Sequence, residues 1–352
     1  MKKKICGIQQ IGIGYGDIQE SWKWYRKYFG MNVPVFEDTA EAALMYQYTG
    51  NKVYKRHAIL AMNMQGGAGF ELWQFKDRKT LAVKEPIKIG DLGLQIIKIK
   101  TLDINKTFQF FKSEGLDLKS DLEKNPKGDL HFYLQDPYQN LFEIVESKSW
   151  FCDKKKLTGG VNGIVIGVSD MDKSLKLYQK VLGYQQIVYD ETGSFADLNG
   201  LNGGASICRR VLLRHHEERT GGFSKLFGAT EIELIERVDK AGVKIYQNRF
   251  WGDQGFIHVC FDVIGMKQLK QECAEAGFPF TVDSENSFDM GKAAGHFSYI
   301  EDPDGTLIEF VETHKVPILK KLGLYLNLKN RNPDKNLPDW MVKLMGLTAV
   351  RD

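Results

Sequence analysis

One strand-and-helix pattern occurs twice in this chain, and it limits the possible folds more than any other feature. Residues 7–30 read GIQQIGIGYGDIQESWKWYRKYFG, and residues 160–183 read GVNGIVIGVSDMDKSLKLYQKVLG. Each copy has an apolar run, then an Asp, a Ser four residues later, a Tyr after four more, and a closing Gly. Asp is a favoured N-cap and Gly a favoured residue just past a helix end, so each copy predicts a strand followed by a helix. The repeat favours a fold assembled from copies of one unit.

A second pair of related stretches begins two further units. Residues 90–103 read GDLGLQIIKIKTLD, and residues 252–265 read GDQGFIHVCFDVIG, with the same Gly-Asp-x-Gly opening and a strand-like run. Their units end in YLQDPYQNLFEIVE from Tyr133 and YIEDPDGTLIEFVE from Tyr299, where Asp-Pro indicates a turn between two strands. The first and third units end in GFELWQF and TEIELIE, so every unit has a glutamate in its last strand.

The order of strand, helix and about three strands is therefore predicted four times, which indicates an α+β protein. The segment after the units, residues 316–352, contains ILKKLGLYLNLK and DWMVKLMGL. We expect it to be an amphipathic helical tail that packs against the body or against a twin subunit. The four units are placed at residues 1–80, 85–150, 155–250 and 252–315.

Composition and charge exclude several classes of partner. The 352 residues are 43% hydrophobic and 26% charged, with a formal net charge of +3 and no basic stripe interleaved with aromatic residues. A nucleic-acid partner is therefore not expected. No run approaches the roughly 18 apolar residues that a membrane span needs, so no membrane partner is expected either. The five cysteines are scattered without C-x-x-C spacing, which favours a reducing, cytoplasmic location.

The four-unit plan resembles the vicinal oxygen chelate superfamily, which includes glyoxalase I, bleomycin-resistance proteins, methylmalonyl-CoA epimerase and extradiol ring-cleaving dioxygenases. The resemblance covers roughly residues 5–315. It implies βαβββ modules that pair and curl into two cup-shaped β-sheet barrels, each able to hold a divalent metal. Pairing in chain order would give one cup from residues 1–150 and another from residues 155–315. The resemblance leaves open whether cups form within a chain or across a homodimer.

The resemblance also implies where ligands lie, in the first and last strands of each unit. The first-strand position is seven residues before the residue that caps the helix. The last-strand position is the central glutamate. The first-strand positions are Gln10, Ile96, Gly163 and His258, and the last-strand positions are Glu71, Glu143, Glu233 and Glu309.

If units pair in chain order, the C-terminal cup offers His258, Glu233 and Glu309 as metal ligands. One imidazole and two carboxylates suit Fe(II), Mn, Zn or Ni, and Gly163 would leave one coordination position free. The alternative is that His258 is a hydrogen-bonded interior residue. The N-terminal cup would offer Gln10, Glu71 and Glu143 without an imidazole, either as a secondary metal site or as a stabilising cluster.

The last hairpin resembles the end of the extradiol dioxygenase signature, which implies a catalytic role for Tyr299. Strand alternation predicts that Tyr299 and Glu309 lie side by side and face the cup. His296 resembles the histidine of those enzymes that lies next to the metal ligands without binding the metal, although it is closer to Tyr299 than their pattern has it; the alternative is a surface position. Tyr133 and His131 repeat part of this layout, which suggests that the tyrosine belongs to the scaffold.

The third unit is longer than the first just before the strand of Glu233. Its segment RRVLLRHHEERTGGFSKLFG could cover the mouth of the C-terminal cup, with Gly221 and Gly222 as a hinge, or could be a solvated charged loop. Side chains in it that could meet an anionic substrate or supply a further metal ligand are Arg209, Arg210, Arg214, His215 and His216.

These features lead to one principal functional hypothesis and two alternatives. The principal one is a divalent-metal enzyme, of lyase or isomerase type, that polarises two adjacent oxygens of a small oxygenated substrate, with or without negative charge. Glu233 or Glu309 would be both ligand and base. The first alternative is an extradiol-type Fe(II) dioxygenase. The second is a metal-free protein that binds or sequesters a small molecule.

Overall fold

The computed structural model describes residues 2–285, 288–289, 294–319, 323–329 and 331–351. Within these ranges the strands form two curled sheets of ten and nine strands. This confirms the predicted α+β class built from βαβββ units. The path of the first sheet runs through β15 (Val282–Asp283), β17 (Ala294–Glu301), β18 (Leu307–Leu319), β14 (Gly255–Ile264), β1 (Lys4–Gly14), β4 (Gly69–Phe75), β3 (Lys55–Met62) and β2 (Val33–Glu41), with β16 (Phe288–Asp289) and β19 (Leu324–Asn327) beside it.

The second sheet has the same plan and is made from the two middle units. Its outer strands are hairpins, and its two central strands are the first strands of units two and three. Its path runs through β11 (Gln186–Gly193), β12 (Cys208–Arg214), β13 (Glu231–Arg237), β10 (Thr158–Val168), β5 (Gly93–Thr101), β9 (Leu141–Glu146), β8 (Leu130–Gln135) and β6 (Asp117–Leu118), with β7 (Glu123–Lys124) beside it.

The units do not pair in chain order, so the expected cups from residues 1–150 and 155–315 are wrong. The first unit pairs with the fourth through antiparallel β1 and β14, and the second pairs with the third through antiparallel β5 and β10. Both cups form within one chain. Because all four units present the same kind of first strand to a partner, sequence similarity among them does not determine which two join.

The repeated motif folds as its capping residues predict. Asp17 accepts hydrogen bonds from the backbone of α1 (Ile18–Phe29), and Gly30 ends that helix in the left-handed conformation with φ 64°. Asp170 caps α3 (Met171–Leu175), which continues as π-type turns over Lys176–Val181.

Among the described residues, no helix is long and apolar enough to cross a membrane. The other helices are α2 (Ile104–Ser113), α4 (Ser224–Phe227), α5 (Met266–Glu275) and α6 (Asp339–Leu344), with 3₁₀ turns at Ala43–Tyr48, Ala196–Leu198 and Met345–Thr348.

The tyrosines and Asp-Pro hairpins of the repeat bond to each other across the two sheets. Tyr25 of the first unit donates a hydrogen bond to Asp136 in the hairpin of the second. Tyr178 of the third unit donates to Asp302 in the hairpin of the fourth, at 3.0 Å. The other oxygen of each aspartate accepts two backbone N–H groups and closes its turn. The first and second units, and likewise the third and fourth, are therefore linked between the two sheets.

The C-terminal tail is not helical throughout, which corrects the expectation for residues 316–352. Its first part continues β18 and pairs with β19, where Val316 lies opposite Leu326. Only the later part is helical, as α6 and the 3₁₀ turn Met345–Thr348. The tail packs against the body, as expected, because Leu337, Val342 and Met345 join an apolar cluster with residues of the first sheet.

Candidate functional site

Four polar side chains converge on four adjacent strands of the first sheet. Gln10 lies on β1, Glu71 on β4, His258 on β14 and Glu309 on β18, and all four are buried. The ligand atoms of Glu71, His258 and Glu309 lie within 4.8 Å of one another. The Nε2 atom of Gln10 donates to Oε2 of Glu71 at 3.1 Å and to Oε2 of Glu309 at 3.4 Å. We call these four residues the cluster.

The cluster carries donor atoms that the protein itself does not use. His258 Nε2 lies 3.1 Å from Oε2 of Glu309 and 3.4 Å from Oε2 of Glu71. Nevertheless, within the described residues neither that nitrogen nor Oε1 of Gln10 has a hydrogen-bond partner of acceptable geometry. Ligands held about 2.1 Å from one cation lie roughly 3.0–3.4 Å apart, which agrees with these separations. The four residues therefore fit a divalent metal such as Zn, Mn, Fe or Ni.

Electrostatics favour a cation at this position. Burial and the neighbouring Glu309 carboxylate raise the pKa of Glu71, although His258 opposes the shift. Burial alone would lower the pKa of His258, but Glu309 and Glu71 outweigh it and raise the pKa to about 9. Two carboxylates in a low-dielectric interior need a positive charge between them. Without a metal, the imidazolium of His258 supplies it.

Gly12 provides the space that His258 occupies. It lies directly opposite His258 in the β1–β14 pair. A Cβ atom on Gly12 would be 2.2 Å from Cε1 and 2.6 Å from Nε2 of the imidazole. The ring therefore packs on the bare backbone of the neighbouring strand, and a side chain at residue 12 would displace it.

We expect Gly12→Ala to weaken metal binding at least tenfold while the fold is retained. The Cβ atom would push the imidazole away from the two carboxylates, whereas the backbone of residue 12 has an ordinary strand conformation that alanine adopts. Isothermal titration with Zn²⁺ measures the affinity, and circular dichroism reports the fold. Val165→Ala is the matched control, because Val165 has the corresponding place in the second sheet. Unchanged affinity in Gly12→Ala would contradict the position given to His258.

Tyr299 lies at the cluster, and His296 does not. Tyr299 is directly opposite Glu309 in the β17–β18 pair, as expected, and its hydroxyl is 3.4 Å from Nδ1 of His258. His296 is three residues earlier in the same strand, so its side chain lies on the other face of the sheet. There its Nε2 contacts Asp283 at 2.6 Å. The expectation that His296 is catalytic is therefore wrong in geometry.

A cavity of about 330 Å³ lies beside the cluster. Gln10, Glu71, Glu309 and Tyr299 line it, and its remaining wall is mostly apolar and aromatic. Exposed residues 41, 43 and 44 belong to the same wall, so the cavity opens to solvent beside the first turn after β2. Concave, largely apolar sites with a few convergent polar groups are typical of small-molecule binding.

The second sheet has the same arrangement of positions but different side chains. The pair Gly12 and His258 corresponds to Val165 and Ile96, and the pair Gln10 and Cys260 corresponds to Gly163 and Lys98. Tyr133 lies opposite Glu143 as Tyr299 lies opposite Glu309. Loss of the imidazole is thus accompanied by a larger residue where glycine made room for it.

Internal cations occupy the second cup, and Glu233 and Glu143 bind them. Lys98 Nζ lies 2.8 Å from Glu233, 3.2 Å from Glu143 and 3.3 Å from Glu231, all buried. The guanidinium of Arg210 contacts Glu233 at 2.7 Å. The expected convergence of Glu233 with His258 and Glu309 is therefore wrong, because the pairing of units places Glu233 in the other sheet. Glu143 likewise does not join Gln10 and Glu71; His131 contacts it at 2.8 Å.

A buried apolar cluster lies beside these ion pairs in the second cup. Ile96, Tyr133 and Val165 pack with residues of the segments near Ile89 and Leu198 into one buried apolar cluster. The second cup therefore has the ammonium group of Lys98 and apolar side chains in the region where the first cup has the cluster and the cavity.

The charged segment of the third unit serves both cups, although not as expected. Arg210 and Arg214 bind Glu233 and Glu231 in the second cup. Arg209 is on the surface with Asp190 and Asp172. His215 contacts the backbone of Glu217 and of Thr230 and supplies no ligand to the cluster. Gly221 is not a free hinge, since a Cβ atom there would be 2.5 Å from Sγ of Cys6. The part that reaches the first cavity is apolar: Phe223, Leu226 and Phe227 line it.

Sequence reasoning missed Lys98, Gly12 and the role of Trp73 and Trp251 in the cavity wall. A signal for Lys98 was present, because it alternates with isoleucines in a strand predicted to be buried, where an unpaired ammonium is costly. Gly12 faces His258 only once the first and fourth units are paired, and no property of either stretch alone reveals that.

Comparisons with known proteins agree with this architecture. The family model described as Glyoxalase/Bleomycin resistance protein/Dioxygenase superfamily matches residues 7–144 and 160–310. Glyoxalase I from Zea mays is similar in structure, with a TM-score of 0.52 and 16% identity, over 88% of this chain and 92% of that one. A provisionally assigned dioxygenase from Bacillus subtilis has a TM-score of 0.55 and 14% identity, over 88% of this chain and 86% of its own. A search of curated protein sequences finds no match. Because the family model covers both halves of the chain, the protein belongs to the Glyoxalase/Bleomycin resistance protein/Dioxygenase superfamily.

Proposed function

We propose that this chain is a divalent-metal enzyme that acts on two adjacent oxygens of a small substrate and moves a proton on a neighbouring carbon, as a lyase or an isomerase. The observation that carries the proposal is the convergence of Gln10, Glu71, His258 and Glu309 beside an open, mostly apolar cavity. When bound, a divalent cation would supply Lewis-acid stabilisation of the negative charge that develops on a substrate oxygen.

The chain's own residues divide the remaining work. Gln10 and His258 contribute uncharged ligand atoms and fix the position of the site. Tyr299 contacts Nδ1 of His258, which keeps Nε2 directed at the two carboxylates. Glu71 and Glu309 are the carboxylates that border the cavity, so either can accept a proton from the carbon beside a polarised carbonyl and return it to the next carbon.

The proposal is tested by metal binding together with proton exchange. Protein freed of metal by a chelator should bind about one equivalent of Zn²⁺ or Mn²⁺ by titration, because among the described residues one of the two cups has the ligand set. Metal-loaded protein should catalyse exchange of solvent deuterium into the carbon beside the carbonyl of 3-hydroxy-2-butanone, followed by NMR. Chelation should stop the exchange, and added metal should restore it. A protein that binds no divalent metal would overturn the proposal.

The composition of the cluster favours this reaction over extradiol ring cleavage. The resemblance to extradiol enzymes implies two imidazoles and one carboxylate as ligands, whereas this cluster has one imidazole and two carboxylates. Oxygen uptake with a catechol and Fe(II) distinguishes the two: we expect none above the rate of Fe(II) alone. A metal-free binding protein would instead hold its ligand equally well before and after chelation.

A further inference from the structure

The cavity beside the cluster is long and follows one strand. Glu309, Val311, Thr313 and Lys315 are alternate residues of β18, so their side chains share one face, and all four line the cavity. Six residues of extended strand span about 20 Å. The cavity therefore continues well beyond the cluster in the direction of the C-terminal tail.

Apolar groups bound the cavity on both sides of the cluster. In the direction of Lys315, its wall includes Phe227 from the third unit and Met345 from the tail. β4 runs antiparallel to β18 through β1 and β14, so Trp73 lies beyond Glu71 in the opposite direction. Trp73 packs against Trp251, with ring centroids 4.7 Å apart. The cluster thus lies between two apolar ends.

Charged side chains line the cavity on both sides of the cluster, and two of them form an ion pair. Among the described residues, the charged side chains that line the cavity outside the cluster are Asp38, Glu41, Arg56 and Lys315. Arg56 is buried, forms an ion pair with Asp38 and lies over the ring of Trp73 at 4.9 Å. Asp38 lies at the Trp73 end, since both residues face Ala58 across the sheet, whereas Lys315 lies at the other end with its Nζ 4.4 Å from the centre of the Tyr325 ring.

We propose that the substrate has two adjacent oxygens that lie at the cluster and a hydrocarbon arm that extends along β18, with Met345 of the C-terminal tail limiting the length of that arm. The inference rests on the proposed function for the position of the oxygens, and on the cavity wall for the rest. It assigns the tail a role in specificity. The arginines that suggested a negatively charged substrate lie in the second cup or on the surface, so they give no reason to expect one.

The test is a series of straight-chain 2,3-diones of increasing length, with binding followed by the fluorescence of Trp73 and Trp251. Burying one methylene group is worth about 0.8 kcal/mol, so the affinity should rise about fourfold per carbon until the cavity is filled. Met345→Trp should stop the rise at a shorter chain. Leu347→Trp is the matched control, because Leu347 is two residues away and 70% exposed.

Two sets of outcomes separate this inference from the proposed function. An affinity that does not depend on chain length, or a Met345→Trp variant that behaves like Leu347→Trp, would overturn the inference. If Zn²⁺ does not tighten the binding of any dione, yet the dependence on length and on residue 345 persists without metal, the metal function fails and the apolar arm remains supported.

Discussion

We expect Glu71→Gln to abolish retention of a bound divalent metal, whereas Glu233→Gln should retain it. The two glutamates have equivalent places in units one and three, and both are buried. However, Glu71 faces His258 and Glu309, while Glu233 faces Lys98 and Arg210. Removing a residue that hydrogen-bonds a metal ligand, without binding the metal itself, lowers metal affinity about 10–100-fold. Removing Glu71, a proposed ligand, should therefore lower the affinity at least about a hundredfold. Titration with Zn²⁺ and metal analysis after desalting measure it.

The stability of these two variants should show the opposite order. Removing one partner of a buried ion pair costs about 3–5 kcal/mol, and Glu233→Gln leaves Lys98 and Arg210 with less compensation. Urea unfolding of the metal-free proteins should therefore show a large loss for Glu233→Gln and a small change for Glu71→Gln. Equal loss of metal in both variants would contradict the pairing of units described here.

Lys98→Met is expected to destabilise the protein by about 3–5 kcal/mol at pH 7, because three buried carboxylates lose their shared cation. Burial alone would lower the pKa of Lys98, but Glu143, Glu233 and Glu231 raise it well above its usual range. The pKa values of Glu143 and Glu233 are lowered, since Lys98 and, for Glu233, Arg210 outweigh burial. These ionic contributions are complete between the ordinary glutamate and lysine pKa values of 4.5 and 10.5.

The pH dependence of this loss has a definite sign. In wild-type protein, stability from the lowered glutamate pKa values disappears as the pH falls below 4.5. In Lys98→Met the buried carboxylates should bind protons more readily than in the unfolded chain, so acid favours the folded variant. The difference in free energy of unfolding between the two proteins should therefore shrink as the pH falls from 7 to 4, as measured by urea unfolding at each pH. A difference that stays constant would show that the carboxylates do not depend on Lys98.

Lys100→Met is the matched control, with the same substitution two residues later in the same buried strand. Lys100 donates to the carbonyl oxygens of Gly66 and Phe227, and burial lowers its pKa to about 7. Its folded form thus binds protons less readily than the unfolded chain, which lowers stability as the pH falls from 10.5 to 7. Relative to wild type, Lys100→Met should become more stable over that interval, without a loss like that of Lys98→Met.

The candidate site residues within each unit could be predicted from the sequence. The resemblance to the superfamily implied Gln10, Glu71, His258 and Glu309 as ligand positions, and the repeated spacing located these positions in each unit, because the cap of each helix and the turn of each hairpin fix the register of the strands beside them. The pairing of Tyr299 with Glu309 followed from strand alternation and the Asp-Pro turn alone. These are short-range relations, which neighbouring residues determine.

The partners of the units could not be predicted in the same way. Four similar units can join in more than one order, and the order depends on which first strands meet after long connections. Assuming chain order placed Glu233 at the metal and separated Glu71 from His258. The first cup has Gly12 opposite His258, and the second has Val165 opposite Ile96. This difference indicates which units join, but it can be recognised only when both members of a cross-strand pair are considered together.

The joining of the first and fourth units has a consequence for the order in which the protein is made. Gln10 emerges from the ribosome 299 residues before Glu309. The two middle units can complete their sheet during translation, while β1 of the first unit pairs only once β14 and β18 of the fourth unit have been made. The cluster and the cavity beside it therefore form only after the fourth unit is made, and neither the first two units nor the last two contain all four residues of the cluster.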